Sequence, residues 1–414
     1  MREQSMSDLD LQHIQALQFR DLKSANAALK DFLNANFPYD VVTVDLRPSA
    51  VSLNSINGVL LTQQGEKLFF KTHIEPQSII HEYYNSTVLA EAGYPVIQPV
   101  YSSTEWGKQL LIYPFFALPS LFEVARELET TQTQDTEAIV ALQQQADDRL
   151  WQIYQHTLAV LPAQDHASAP VHQLFFHRLT GGRFDQFYRG QDIHLPGQTL
   201  SYEQLAQRHW QINGIAYEDT LSDLVRKAID RLDPNQSETV AVVGHGDAHN
   251  GNVFVDQAQG KLVYFDPAFA GRHSPFLDLT KPVFHNVFAI WMYFPQAVAQ
   301  ALSIQMEIHA EQVIVTHDFV PSALRIAFLH SKLNRVLKPL LQHLNAQNLL
   351  SPHWREELKL ALFCCPFLTM NLRDTQRFPH EITLLGLAIA IEMGSQSGGD
   401  RTSLLDTALA QVSV

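Results

Sequence analysis

The residues best suited to chemistry in this 414-residue chain fall between His245 and Asp266. A short apolar run, Glu238-Thr239-Val240-Ala241-Val242-Val243, stops at Gly244 and is followed by His245-Gly246-Asp247-Ala248-His249-Asn250-Gly251-Asn252. Such a run reads as a buried strand that delivers polar residues at its end, here His245, Asp247 and Asn252. The segments Asn252–Asp256 and Lys261–Phe265 flank Gln257-Ala258-Gln259-Gly260, a four-residue hairpin connection ending in glycine. If Asp256 pairs with Lys261, antiparallel register sets Asn252 opposite Phe265 and leaves Asp266 beside it, within about 5 to 8 Å. An amide carbonyl and a carboxylate are hard oxygen donors suited to Mg²⁺, which keeps several waters and takes further ligands from phosphates. Asp247, on the adjoining loop, faces the same point.

The elements that must position these residues follow from periodicity. Leu11, Ile14, Leu17, Phe19 and Leu22 recur at helical spacing, which predicts an N-terminal helix or helix pair. The period then changes to that of strands at Val41–Leu46, Ala50–Leu53, Val59–Thr62 and Leu68–Lys71, with turns at 54–58 and 63–66. A helix over Pro76–Ala92 and two more strands, near Ile97–Tyr101 and Gln109–Tyr113, complete a small sheet with one helix. Beyond residue 116 the strand signal fades. Helices are predicted at 121–128, 136–160, 201–211 and 219–232, and a helical pattern runs from Phe284 to the end. The Gln/Thr-rich stretch Glu129–Gln145 reads as a mobile connector.

His-x-Asp-x-x-x-x-Asn, followed by a strand hairpin and an Asp, resembles the catalytic core of the aminoglycoside phosphotransferase and choline kinase family, small-molecule relatives of the protein kinases. Ser274-Pro275-Phe276-Leu277-Asp278-Leu279 resembles that family's later Asp-containing segment. The resemblance implies an α+β, two-lobed protein-kinase-like fold with a small antiparallel-sheet N-lobe and a larger, mainly helical C-lobe. The corresponding boundaries are an N-terminal helical segment at 1–40, the N-lobe at 41–115 and the C-lobe at 116–414. Within the C-lobe lie the catalytic loop 245–252, the metal-binding hairpin 252–266 and a specificity insertion at 130–235.

By the same resemblance, ATP and Mg²⁺ are the cofactors and the partner is a small molecule bearing a hydroxyl: an amino sugar or aminoglycoside, a sugar, a choline-like amine or a nucleoside. Asp247 is the catalytic base, Asn252 and Asp266 bind Mg²⁺, and His245 supports the loop, as do His249 and Asp278. Lys71 on the third strand binds the α- and β-phosphates, and Glu82 on the following helix holds its ammonium. Ser55, Asn57 and Gly58 stand where the phosphate loop belongs, with one glycine where more are expected. Tyr113 and Phe115 stand where an interlobe hinge holds adenine.

Two other readings remain at this level. Gly246-Asp247-Ala248-His249 could belong to a dinuclear phosphoesterase, although the boxes that should accompany it are missing. A non-catalytic nucleotide-binding module is the other. His177–Tyr188, with two arginines, a glycine pair and aromatics, is left without a role. A net charge of -14 argues against nucleic acid as a partner. Neither apolar stretch, Val283–Phe294 or Ile382–Ile391, is long enough to span a bilayer. The two cysteines are adjacent, a poor geometry for a disulfide, which with the lack of a signal-like N-terminus points to the cytoplasm.

Overall fold

The computed structural model describes residues 11–18, 20–47, 55–73, 85–103, 105, 108–131, 136–236 and 238–413. The chain divides into two compact units. The first comprises residues 1–91, 95–118 and 265–268, and the second 92–94, 119–264 and 269–414.

In the first unit, α1 (Leu11–Gln18) and α2 (Leu22–Asn36) precede the strands β1 (Val41–Leu46), β2 (Ser55–Thr62), β3 (Lys67–His73), β4 (Tyr101–Ser103) and β5 (Leu110–Pro114). The strands form one antiparallel sheet in the order β1-β2-β3-β5-β4. Asp21 caps α2 by accepting from the Ser24 amide at 3.1 Å. Ala25, Leu29, Phe32 and Leu33 then lie on one face of α2, at the spacing a helix needs to bury a stripe. They share a core with Leu11 and Ile14 of α1 and with Ile56, Leu60, Phe70 and Ile112 of the sheet. The helix expected over Pro76–Ala92 is described over 85–92. Its earlier part lies outside the described residues, as does the expected strand Ala50–Leu53.

The turn expected at 54–58 is not there. Residues 55–58 continue β2, paired with β3 from Ser55↔His73 to Gly58↔Phe70, and Gly58 also faces Leu46 of β1. Gly58 therefore serves packing rather than a turn. A Cβ on it would stand 2.3 Å from the Asp45 carbonyl oxygen and 3.0 Å from the Phe70 ring.

The second unit is mainly helical, and its core is built on Glu137–Thr157, Pro275–Val287, Ala323–Lys332, Trp354–Leu368 and His380–Gly394. The apolar run Ile382–Ile391 is explained by burial of His380–Gly394 along nearly its whole length. Among the described residues no helix is long and apolar enough to cross a membrane. Cys364 and Cys365 are buried free thiols.

Three expectations for this unit need correction. The Gln/Thr-rich stretch is no connector where it is described: 129–131 end the helix Leu121–Thr131, and 137–145 open the helix Glu137–Thr157. Polar composition misled because buried partners hold it. Glu129 forms a two-pronged pair with Arg325, at 2.6 and 2.9 Å. The expected helix 201–211 is a short one, Tyr202–Ala206, followed by the strand His209–Ile212. The helical pattern after Phe284 is broken by a hairpin of Ile304–Ile308 with Gln312–His317, and the latter strand pairs in parallel with His209–Ile212. Ile304, Met306 and Ile308 alternate at a period of two, a strand signal lost among flanking helical residues.

Gly58→Ala should cost about 1–3 kcal/mol, seen as a lower melting temperature. An unchanged melt would show that the sheet yields at this position.

Candidate functional site

The strand Thr239–Gly244 is buried in its second half and paired on both sides, to Ala159–Leu161 and to Gly271–His273. It therefore holds the start of the loop 245–252 rigidly. Gly246 adopts a left-handed φ of 78°, and a Cβ there would lie 2.4 Å from the Phe269 carbonyl oxygen. Only glycine meets both conditions without strain.

Asp278 anchors this turn. Its buried carboxylate accepts from the Gly246 amide at 2.6 Å, from His273 Nε2 at 3.1 Å and from the Tyr154 hydroxyl. Burial pushes the Asp278 pKa up, but the bonds from His273, Tyr154 and Gly246 and the His273 charge outweigh it, leaving a value of about 2. His245 is fully buried beside Tyr264, with ring centroids 5.8 Å apart, and its Nδ1 faces the Asp247 amide at 3.4 Å. It packs and holds the loop.

Further along, the Asp247 carbonyl accepts from the His249 amide at 2.8 Å and from Asn252 Nδ2 at 2.9 Å. The Asn250 amide donates to Asn286 Oδ1 at 2.7 Å, and its carbonyl accepts from the Phe122 amide at 3.1 Å. With its backbone so tied, the loop presents the Asp247 carboxylate. Oδ2 lies 3.8 Å from His249 Nε2, while Oδ1 is buried with no hydrogen-bond partner among the described residues. An orphaned carboxylate oxygen is costly, and a hydroxyl brought to it would satisfy it. Because Asn252 spends its amide nitrogen on the Asp247 carbonyl, its amide oxygen is left to accept.

The hairpin has the register that its spacing predicts. Asp256 pairs with Lys261 and Val253 with Tyr264, so Asn252 and Phe265 are the next residues beyond the ladder.

Residues 265–268 belong to the first unit, and there Asp266 meets Lys71. Lys71 Nζ donates to Asp266 Oδ1 at 2.8 Å across 195 residues of sequence. The lysine is 8% exposed, and Asp266 adopts φ 56°, a left-handed conformation that Asp tolerates better than most residues. Phe265 wedges the aspartate in place, with its ring 5.8 Å from Phe69, 5.0 Å from Tyr113 and 5.3 Å from Phe116. Asn85 donates to the Pro267 carbonyl at 3.2 Å.

The structure thus groups His245, Asp247 and Asn252 in one unit and Lys71 and Asp266 in the other. Asn57 and Gly58 lie within β2, and Asn57 pairs with Lys71 itself. Ser55 is also a strand residue, so none of the three forms a loop. The connection between β1 and β2 spans 47–54, of which 48–54 lie outside the described residues, as does Glu82. Tyr113 is fully buried in the aromatic core, whereas Phe115 is half-buried under the Lys67 ammonium, 3.9 Å from its centroid.

Sequence reading missed the Phe265 cluster, Asn85, Asn286, Tyr154 and His273. It also missed a group of cations in the same unit as Asp247. Arg178 Nη1 and Lys281 Nζ both reach Thr369 Oγ1 at 3.4 Å, and Lys281 faces His285 Nε2 at 3.4 Å. The ring of His285 lies 5.4 Å from that of His249. Burial, with Arg183 close by, pushes the Arg178 pKa down to about 10, and burial lowers that of Lys281. The His285 pKa falls well below its ordinary value for the same reason, so its ring is neutral. Among the described residues no three His, Cys, Asp or Glu gather as a metal-holding group, which is what the phosphoesterase alternative requires.

Asp278→Ala should remove about 3–5 kcal/mol of stability, the cost of breaking a buried charged network, read by urea denaturation. The Asp278 pKa is depressed on folding, so its contribution is complete above the ordinary 3.8 and is lost as pH falls toward about 2. The gap between the variant and the parent should therefore narrow by about 2 kcal/mol across that window. A gap independent of pH would show that the charge is irrelevant.

No curated protein matches the chain significantly. Solved structures are similar at low identity, three of them as follows. An amicoumacin kinase in complex with AMP-PNP, Ca²⁺ and Ami is 13% identical, with 85% of this chain and 87% of that one covered and a TM-score of 0.46. A macrolide 2'-phosphotransferase from Brachybacterium faecium is 12% identical, with 89% and 98% covered and a TM-score of 0.39. A thermostable aminoglycoside phosphotransferase in complex with AMP-PNP and hygromycin B is 12% identical, with 88% and 97% covered and a TM-score of 0.46. The profile of the phosphotransferase enzyme family, APH, matches residues 57–311, more than half of the chain, and the chain belongs to that family.

Proposed function

We propose that this chain transfers the γ-phosphoryl group of ATP to a hydroxyl of a small molecule, with Mg²⁺ as the metal. The observation that carries the reading is the 2.8 Å pair between buried Lys71 and Asp266. It brings the lysine expected to bind phosphates beside the aspartate expected to bind their metal, two groups that must act on one nucleotide. The donor chemistry suits the ion: Lys71 occupies Asp266 Oδ1 alone, and Asn252 keeps its amide oxygen available. Asn252 and Asp266 would hold Mg²⁺, which supplies neutralisation of phosphate charge. Lys71 would bind the α- and β-phosphates, with Glu82 as the acid that steadies it. Phe115 is the better adenine contact, since the Tyr113 ring is committed to the core. The specificity insertion stays at 130–235, and the setting is cytoplasmic.

Asp247 is the base in this reading. A carboxylate is far too weak to ionise an alcohol outright, so Asp247 orients the hydroxyl through its orphaned Oδ1 and accepts the proton late. The acceptor oxygen forms its bond to phosphorus as the bond between the γ-phosphorus and the β,γ-bridging oxygen breaks. ADP leaves with that electron pair. Most of the rate then arises from positioning and charge neutralisation.

Asp247→Asn should lower kcat by about 10²–10⁴-fold while the melting temperature and the affinity for an ATP analogue stay near those of the parent. Retention of full turnover would reject the role. Lys71→Met should instead weaken ATP binding, measured by calorimetry, and unaltered affinity would remove it from the nucleotide site.

A further inference from the structure

Buried cations elsewhere in the second unit obey a simple rule. Lys332 pairs with Asp147, Lys359 with Asp406 at 2.7 Å, and Arg325 with Glu129 at 2.6 Å. An unpaired buried charge is expensive, so such pairing is the norm. Lys281 breaks the rule. It is 3% exposed, and among the described residues its ammonium meets only Thr369 Oγ1 and His285 Nε2 within hydrogen-bond distance, both at 3.4 Å. Arg178 shares that same neutral hydroxyl, and Arg183 donates to the Leu368 carbonyl at 3.1 Å. Among the described residues none of the three has a carboxylate at ion-pair distance.

The bland alternative is that they cap the helix Trp354–Leu368. A helix C-terminus supplies on the order of half an elementary charge, far short of three cations. The positive excess is the more telling in a chain of net charge -14. Its place is also specific: Lys281 contacts His285, whose ring lies 5.4 Å from His249, and His249 Nε2 is 3.8 Å from the Asp247 carboxylate. Arg178 and Lys281 therefore stand near the carboxylate that orients the acceptor, close enough to feel its charge but not paired with it.

We propose that the acceptor is an anion, a small molecule carrying a carboxylate or phosphate group that Arg178 and Lys281 bind while its hydroxyl meets Asp247. The inference rests on the phosphotransferase reading above and gives a role to the segment His177–Tyr188. Arg178 and Lys281 are positioning residues in it. The bonds made and broken are those of any such transfer: the hydroxyl oxygen takes the γ-phosphoryl, Asp247 takes the proton, and ADP leaves.

Two measurements on the full chain test it. In the first, thermal melts are followed with added inorganic phosphate, D-glycerate, choline or kanamycin at matched ionic strength. The anions should raise the melting temperature of the parent but not of Arg178→Gln or Lys281→Met, and Lys281→Met alone should melt higher than the parent. Equal anion shifts in parent and variants would overturn the proposal.

In the second, ADP release from Mg-ATP is measured with D-glycerate, sn-glycerol 3-phosphate, glycerol, choline and kanamycin. One of the two anions, which separates carboxylate from phosphate recognition, should exceed glycerol by about 100-fold or more in kcat/KM. Arg178→Gln should raise the acceptor KM and leave the ATP KM unchanged. Preference for kanamycin or choline would overturn the anionic acceptor and leave the kinase reading standing. Anion binding that depends on Arg178 and Lys281, with no ADP release from any compound, would uphold the anion site and reject the kinase reading.

Discussion

The loop that bears Asp247 is held by one buried carboxylate, and the local architecture depends on it. Asp278 gathers the Gly246 amide, His273 and Tyr154, which belong to the loop, an adjoining strand and a long helix. A carboxylate in such a place is tolerable only because donors satisfy it, and the same donors give the interaction its directionality. The φ of 78° at Gly246 is the geometric counterpart, since the amide can reach Asp278 only through a turn that excludes a side chain.

A second principle governs the polar groups left over. This fold pairs its structural charges carefully, as Lys332, Lys359 and Arg325 show. Around Asp247 it does not. Among the described residues an orphaned carboxylate oxygen and cations with no carboxylate at ion-pair distance occupy the same neighbourhood, and the Asp247 charge acts on Arg178 and Lys281 only from further off, against a larger cost of burial. Exceptions to polar satisfaction concentrate where a ligand completes the set.

Much was legible from local pattern. The hairpin register from Asp256↔Lys261 to Val253↔Tyr264 followed from a loop of four residues, because turn length sets register. Most strands of the small sheet followed from their periods, as did the helices Leu121–Thr131, Glu137–Thr157 and Leu221–Arg231. The strand expected near Ile97–Tyr101, by contrast, begins only at Tyr101, and the helix Pro275–Val287 starts ahead of the helical pattern expected beyond Phe284. The same reasoning failed at Gly58, where turn-forming residues lie inside a strand, and at His209–Ile212, which pairs locally with Ile215–Tyr217 and in parallel with a strand about a hundred residues away. Local composition cannot reveal a close backbone approach or a parallel partner distant in sequence.

The sequence by itself determined the loop His245–Asn252, the hairpin after it and the presence of a lysine-bearing strand ahead, because hydrogen bonding between near neighbours leaves a periodic trace. Only the tertiary structure decided that Lys71 meets Asp266 and that Asp278 clasps Gly246. It alone gathered Arg178 and Lys281 at Thr369, with no carboxylate of the described residues at ion-pair distance. Those meetings join residues far apart in the chain, and they are set by how whole elements pack, which no short window of residues encodes.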